Sequence, residues 1–214
     1  SLRRYSGDIA IDEGGLSALE GMLTARALMY SAVYFHRVTR ITETMLSRAV
    51  EYMDTSSMDL QRMVDSEIWE VLANGGDYQK EILSRIKYRQ LFKVAVVWRK
   101  NDLNDSQISR LIELASNSKL RREVEKRLSE RSGLSEGHVA IDVPSVKLLL
   151  SEPRMAQVDI RVLGDDKQVR WFKEHTTLAE ALRNRQVSQA ACYVMTSSGS
   201  EDIVAKIAKR VIFG

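Results

Sequence analysis

The sequence predicts a mainly α fold, in which a long-helix, all-α N-terminal part is followed by a smaller α+β C-terminal part. Three observations carry this expectation. Apolar residues recur at helical spacing from about Gly15 to Met53. Only 2 prolines occur in 214 residues, so helices can run uninterrupted. At Phe92 the apolar period changes from about 3.6 to about 2. That change places the expected boundary between a helical part, residues 1–88, and an α+β part, residues 89–214.

Residues 1–13 read as a polar lead-in with a short extended piece, Asp8-Ile-Ala-Ile11. Leu16, Leu19, Leu23, Tyr30, Val33, Ile41, Met45 and Tyr52 keep one face of a helix. Unbroken, that helix would run roughly 55 Å at about 1.5 Å per residue, so a kink or an oligomeric partner is expected. Ser56 with Asp59 reads as a capping box opening a helix over residues 57–73, which Asn74-Gly75-Gly76-Asp77 stops. A third helix over 77–87 carries Tyr78, Ile82 and Ile86. Phe92, Val94, Val96 and Trp98 then alternate with Lys93, Ala95, Val97 and Arg99 as a strand. Helices near 104–116 and 118–132 precede a short strand over 138–142. Strands at 158–162 and 168–172 flank Gly164-Asp-Asp-Lys167 as a hairpin. Thr177 opens a short helix, 190–195 forms a strand, and 200–212 closes the chain as a helix.

Composition narrows the function classes. Hydrophobic residues make up 44%, enough for a core. The single cysteine, Cys192, excludes an intramolecular disulfide framework and fits a reducing, cytoplasmic setting. No stretch approaches about 18 uncharged apolar residues, and no signal peptide is present, so no membrane partner is expected. The start at Ser1-Leu2-Arg3, without methionine, points to an N-terminus that is not the natural one. A net charge of +3 and a pI near 9.0 suit anionic ligands but are too weak alone to argue nucleic acid.

The stretch from Thr24 to His36 holds Arg26, Tyr30 and Tyr34 at four-residue intervals. At about 100° per residue, Leu19, Leu23, Arg26, Tyr30, Val33 and Tyr34 share an arc of roughly 100°. Arg26 would therefore sit in an apolar stripe, where a guanidinium needs an anionic partner. A phosphate-bearing, ring-containing ligand suits that face. So does simple packing, with the tyrosines in the core and the arginine paired to a carboxylate of another helix. Arg37 on the same arc adds a second cation. His36 points away by about 80–100° and by itself reads as structural.

A second feature runs from Arg85-Ile-Lys87-Tyr88-Arg89-Gln-Leu-Phe92-Lys93 to Arg99-Lys100, with six basic residues and no acidic one. Its interleaved Tyr88, Phe92 and Trp98 suit phosphate or nucleic-acid contact, and a solvated helix-to-strand junction accounts for it equally. The run from Lys119 to Arg127, diluted by Glu123, Glu125 and Glu130, reads as a solvated helix face. The three histidines, His36, His138 and His175, have no metal-site spacing, and no Cys pair or clustered Asp pattern occurs. No P-loop, G-x-S-x-G or G-x-G-x-x-G occurs either. No catalytic residue, metal ligand or bound cofactor is therefore expected in this chain.

The run Leu23-Thr-Ala-Arg26-Ala-Leu-Met-Tyr30-Ser-Ala-Val-Tyr34-Phe-His36 is followed by Ile86-Lys-Tyr-Arg89-Gln-Leu-Phe92-Lys93 and later by Ile141-Asp-Val-Pro144. Together these resemble the C-terminal half of the HD-superfamily phosphohydrolases, nearest to members related to the deoxynucleoside triphosphate triphosphohydrolases. The resemblance implies a helical, homo-oligomeric enzyme acting on nucleotides. In it a divalent metal held by two histidines and two aspartates activates water, and those ligands lie ahead of the segment matched by residue 1. For this chain it implies that Arg26 contacts substrate phosphate and that Tyr34 stacks near the sugar. Tyr30 stands where a mammalian relative has histidine, and Phe35 replaces a polar residue that helps select the deoxynucleotide. His36, Arg37, Arg89 and Lys93 match an effector-nucleotide site between subunits. On this reading the chain supplies phosphate-binding and oligomer contacts but not the metal site. Two alternatives stand beside it: a non-catalytic nucleotide- or nucleic-acid-binding module, with nucleic acid the less favoured partner, and a helical oligomerisation scaffold.

Overall fold

The computed structural model describes residues 2–5, 8–29, 32–33, 36–53, 59–143, 160–178 and 190–214. Among these, the chain is mainly α with a smaller α+β part. In chain order the elements are β1 (Leu2–Tyr5), β2 (Asp8–Asp12), α1 (Leu16–Met29), α2 (Arg37–Glu51), α3 (Asp65–Ala73) and α4 (Asp77–Lys87). They continue with β3 (Lys93–Arg99), α5 (Asp105–Ser116), α6 (Ser118–Ser132), β4 (Val139–Asp142), β5 (Arg161–Leu163) and β6 (Val169–Trp171). The last are α7 (Phe172–His175), β7 (Ala190–Thr196) and α8 (Glu201–Phe213).

Two compact units emerge: Ser1–Phe35 with Ser145–Gln189, and His36–Pro144 with Ala190–Gly214. These do not follow the expected division at residue 88, since α2–α4 and β3–α6 fall in one unit. The expected long helix is interrupted: α1 is described to Met29, and the backbone at His36 is extended, with φ −63° and ψ 131°, before α2 begins.

In the first unit the strand order is β1-β2-β5-β6. The outer pairs are antiparallel and the central β2–β5 pair is parallel, with Ala10 opposite Arg161. Leu19, Leu23 and Ala27, at four-residue intervals on α1, pack against Val162 and Phe172. The predicted β5–β6 hairpin is present, with Gly164 N–H donating to the Gln168 carbonyl at 2.9 Å.

In the second unit an antiparallel sheet runs β3-β7-β4, with β7 central. One face meets α2, α3 and α4 through Met45, Leu72, Ile82, Phe92, Ala140 and Met195. On β3, Trp98 meets Phe213 of α8 edge-on, ring centres 5.1 Å apart. Local chemistry sets the helix ends. Asn104 and Asn117 accept the backbone N–H groups of Gln107 and Leu120, and Gly133 closes α6 at φ 72°. The second predicted helix starts at Asp65 rather than residue 57. There the Glu67 carboxylate accepts the Val64 N–H at 2.9 Å. Residues 54–58, and nearly all of the helix expected from Thr177, lie outside the described residues.

Candidate functional site

The sequence-predicted residues separate. Arg26 lies on α1 in the first unit and is exposed. The stripe that α1 buries is Leu19, Leu23 and Ala27, and Arg26 lies beside it rather than within it. Tyr30 and Tyr34 lie outside the described residues. His36 and Arg37 open α2 in the second unit, so the helical arc expected to join Arg37 to Arg26 does not exist. Arg89 follows α4 in a left-handed conformation, φ 57°, and Lys93 starts β3 opposite Thr196. His36, Arg37, Arg89 and Lys93 are all exposed. Among the described residues no hydrogen bond or ion pair joins them.

The basic-aromatic run also divides. Arg85 donates to Glu81 at 2.7 Å, and its guanidinium lies 6.0 Å from the centre of the Phe92 ring. Phe92 is buried, and its N–H meets the Met45 sulfur at 3.4 Å. Lys87 and Tyr88 remain outside, the ammonium 5.6 Å from the ring centre.

The strongest polar constellation joins α2 and α6 residues outside any quoted motif to Ile141 and Asp142. Arg48 sits on the buried stripe of α2 with Ile41, Thr44, Met45 and Ala49, and is 4% exposed. Glu125 of α6 is 1% exposed. Arg48 Nε donates to Glu125 at 3.0 Å and Arg48 Nη2 donates to the same carboxylate at 2.7 Å. Arg48 Nη2 also donates to the Ile141 carbonyl at 2.8 Å, while Ile141 N–H donates to Glu125 at 2.7 Å. Glu51 accepts from Arg121 and, at 3.4 Å, from Arg48; Asp142 accepts from Arg40. Burial pulls the Arg48 guanidinium down, but Glu125 and Glu51 outweigh that and hold it above its ordinary value. Burial pushes the Glu125 carboxyl up, against the pull of Arg48 and the Ile141 N–H. The solvated-face reading of residues 119–127 therefore fails at Arg121 and Glu125. Arg121, Glu125 and Leu128 follow one another at i, i+4 and i+7, which places them on the inward side of α6.

Arg40, Arg48, Glu51, Arg121 and Asp142 line a pocket of about 210 Å³ with Thr44 and Ser47, and Glu125 lies outside its lining. Its arginines and carboxylates are already matched, so it is a balanced ionic network rather than an empty anion hole. It does not fit a metal either, because guanidinium groups stand among the carboxylates and repel a cation. Among the described residues no three His, Cys, Asp or Glu side chains come close enough to hold a metal ion.

A smaller polar cluster joins α4 to the start of β4. His138 Nε2 lies 3.1 Å from Glu81, which also accepts from Arg85. Partial burial pushes the Glu81 carboxyl up, but the bonds from His138 and Arg85 outweigh it and hold the carboxyl below its ordinary value. A folded-state value that is depressed adds stability above the unfolded value of 4.5, and that stability is lost as pH falls through the folded value. Glu81→Gln is expected to flatten the acid limb of stability against pH. Chemical denaturation at stepped pH checks this, and an unchanged acid limb would remove Glu81 from the pH response.

Residues 1–213 match the family described as the HD associated region. The chain belongs to that family. As an HD-associated region it is tied to HD-domain proteins, the link that its Leu23-to-His36 and Ile86-to-Lys93 runs imply. An uncharacterized protein of Methanocaldococcus jannaschii is 30% identical over 179 residues, covering 82% of this chain and 36% of that protein. The fold is shared with a hypothetical protein of Aquifex aeolicus, at TM-score 0.59 and 21% identity, over 97% of this chain and 49% of that one. It is also shared with a phosphohydrolase of Bacteroides thetaiotaomicron, at TM-score 0.56 and 18% identity, over 92% and 53%. The HD-associated region thus spans about a third to a half of the length of these relatives.

Proposed function

We propose that this chain is the C-terminal portion of a metal-dependent HD-type phosphohydrolase acting on nucleotides, of the deoxynucleoside triphosphate triphosphohydrolase kind. The observation that carries the reading is the family match over residues 1–213. The shared fold of a phosphohydrolase about twice as long supports it. In this reading Arg26, Tyr30 and Tyr34 form one wall of the substrate pocket. The exposed Arg26 guanidinium offers a planar fork of donors to phosphate oxygens, and a tyrosine ring offers the sugar an apolar face. A divalent metal, held by a part of the protein that these residues do not include, would supply activated water. His36, Arg37, Arg89 and Lys93, exposed in the other unit, would take an effector nucleotide or a subunit contact in a cytoplasmic homo-oligomer.

The test is turnover of nucleoside triphosphates by the full protein with a divalent metal. Arg26→Ala is expected to lower kcat/KM about a hundredfold, the loss typical of removing one donor aimed at developing phosphate charge. Loss in KM alone would place Arg26 in ground-state binding. Unchanged turnover would overturn the assignment of Arg26.

A further inference from the structure

The α3–α4 hairpin carries a surface groove whose lining includes none of the residues proposed above for substrate or effector. It has a volume of about 880 Å³, and Trp69, Leu83, Ile86, Tyr88, Lys80 and Lys87 line it. Tyr88 is 64% exposed and Trp69 38%, large apolar rings left partly in water. Leu83 and Ile86 turn toward the core cluster around Ile82 and Phe92, so the apolar surface the groove offers is mainly aromatic. Lys80, Ser84 and Lys87 follow one another at i, i+4 and i+7 along α4, a stripe of about 10 Å beside the rings. Among the described residues neither lysine has a carboxylate partner, and the carboxylate in the lining is that of Glu70. Beyond Tyr88 the chain continues through the exposed Arg89 and Lys93 with no acidic residue before Asp102.

We propose that this groove binds a single-stranded nucleic-acid segment, with bases stacked on Trp69 and Tyr88 and phosphates on Lys80 and Lys87. Every base has a face that stacks on an aromatic ring, so two rings beside a cationic stripe take a strand without reading its sequence. The lysines bind as point charges, and the released counterions make the affinity fall with salt. An acidic amphipathic helix is the competing occupant. It draws its affinity from aliphatic anchors, and here Leu83 and Ile86 are half-buried against the core while the rings of Trp69 and Tyr88 are the exposed apolar surface. The sequence showed half of this site in the Lys87-Tyr88-Arg89 run; Trp69 and Lys80 join it through the packing of α3 on α4.

The experiment is fluorescence anisotropy of a labelled oligothymidylate of about 12 nucleotides, titrated with the intact chain. Saturable binding is expected to weaken about 7- to 20-fold between about 50 and about 200 mM salt, as for two or three phosphate contacts. Tyr88→Ala and Trp69→Ala should each weaken it about tenfold, and the Lys80→Glu/Lys87→Glu pair more. Tyr88 is exposed enough that its truncation leaves the fold intact, which circular dichroism checks. Absence of saturable binding overturns the proposal. So does salt-sensitive binding that the two aromatic variants leave unchanged, because that is diffuse attraction to a basic chain. Capture of an acidic amphipathic peptide in place of the strand assigns the groove to a helix and overturns it as well.

Discussion

Glu125→Ala is expected to destabilise the second unit by about 3–5 kcal/mol, because it strands the Arg48 guanidinium in a dry site. Arg48 is 4% exposed and directs two of its nitrogens at Glu125. Arg48→Ala should cost a similar amount for the mirror reason. Urea unfolding followed by circular dichroism measures both, and a loss below about 1 kcal/mol in either would mean that the pair is not desolvated in solution.

Removing both partners together isolates what the pair does for the backbone. Replacing a buried ion pair by apolar residues of similar volume is often neutral or stabilising. Here Arg48→Met/Glu125→Leu is expected to remain destabilised by about 2–4 kcal/mol, because the pair also satisfies backbone. β4 is an edge strand, bonded to β7 on one side, yet all four of its residues are buried. On the open side the Ile141 N–H is taken by Glu125 and the Ile141 carbonyl by Arg48. The two side chains stand in for the strand that the sheet lacks there. An apolar swap strips both backbone groups of partners, at about 1–3 kcal/mol each. A double variant as stable as the parent would show that water reaches the β4 edge.

The same network marks where sequence reading stopped. α4, β3, the β5–β6 hairpin and α8 were legible because caps, turns and residue period act within a few positions. Arg48 and Glu125 lie 77 residues apart, and Ala10 pairs with Arg161 across the chain. No local pattern states such pairings. Glu125 did carry a signal, its place between Arg121 and Leu128 on one side of α6, but the surrounding charges hid it. Arg26 misled in the opposite direction. Its arc requires a continuous helix through residue 37, and the extended backbone at His36 interrupts it. The groove residues were half legible: Lys87 and Tyr88 are adjacent in sequence, whereas Trp69 comes from the preceding helix.

Gly137→Val is expected to cost about 4 kcal/mol or more, and Gly137→Ala about 2–3 kcal/mol. Gly137 has φ 88°, where a β-branched side chain is strained whatever space surrounds it. There is no space. A Cβ would stand 2.6 Å from Cε2 and 2.8 Å from Cζ of Tyr78. Tyr78 cannot yield cheaply. Its hydroxyl donates to the Gly137 carbonyl at 2.9 Å, and its ring packs edge-on against Tyr52 at 5.1 Å and His138 at 6.1 Å. Burial pushes the Tyr78 hydroxyl well above the ordinary tyrosine value, as befits a ring held among other side chains. Asparagine separates strain from crowding, because it tolerates the left-handed region yet still carries a Cβ. Gly137→Asn should therefore be nearly as costly as Gly137→Ala. At Gly133, φ 72°, a Cβ would meet nothing within 4 Å, and Gly133→Asn should cost less than about 1 kcal/mol. Thermal unfolding of the two asparagine variants decides the matter, since equal losses would make backbone strain alone the cause. Adding Tyr78→Leu should then recover part of the Gly137→Ala loss, the coupling expected of residues in direct contact.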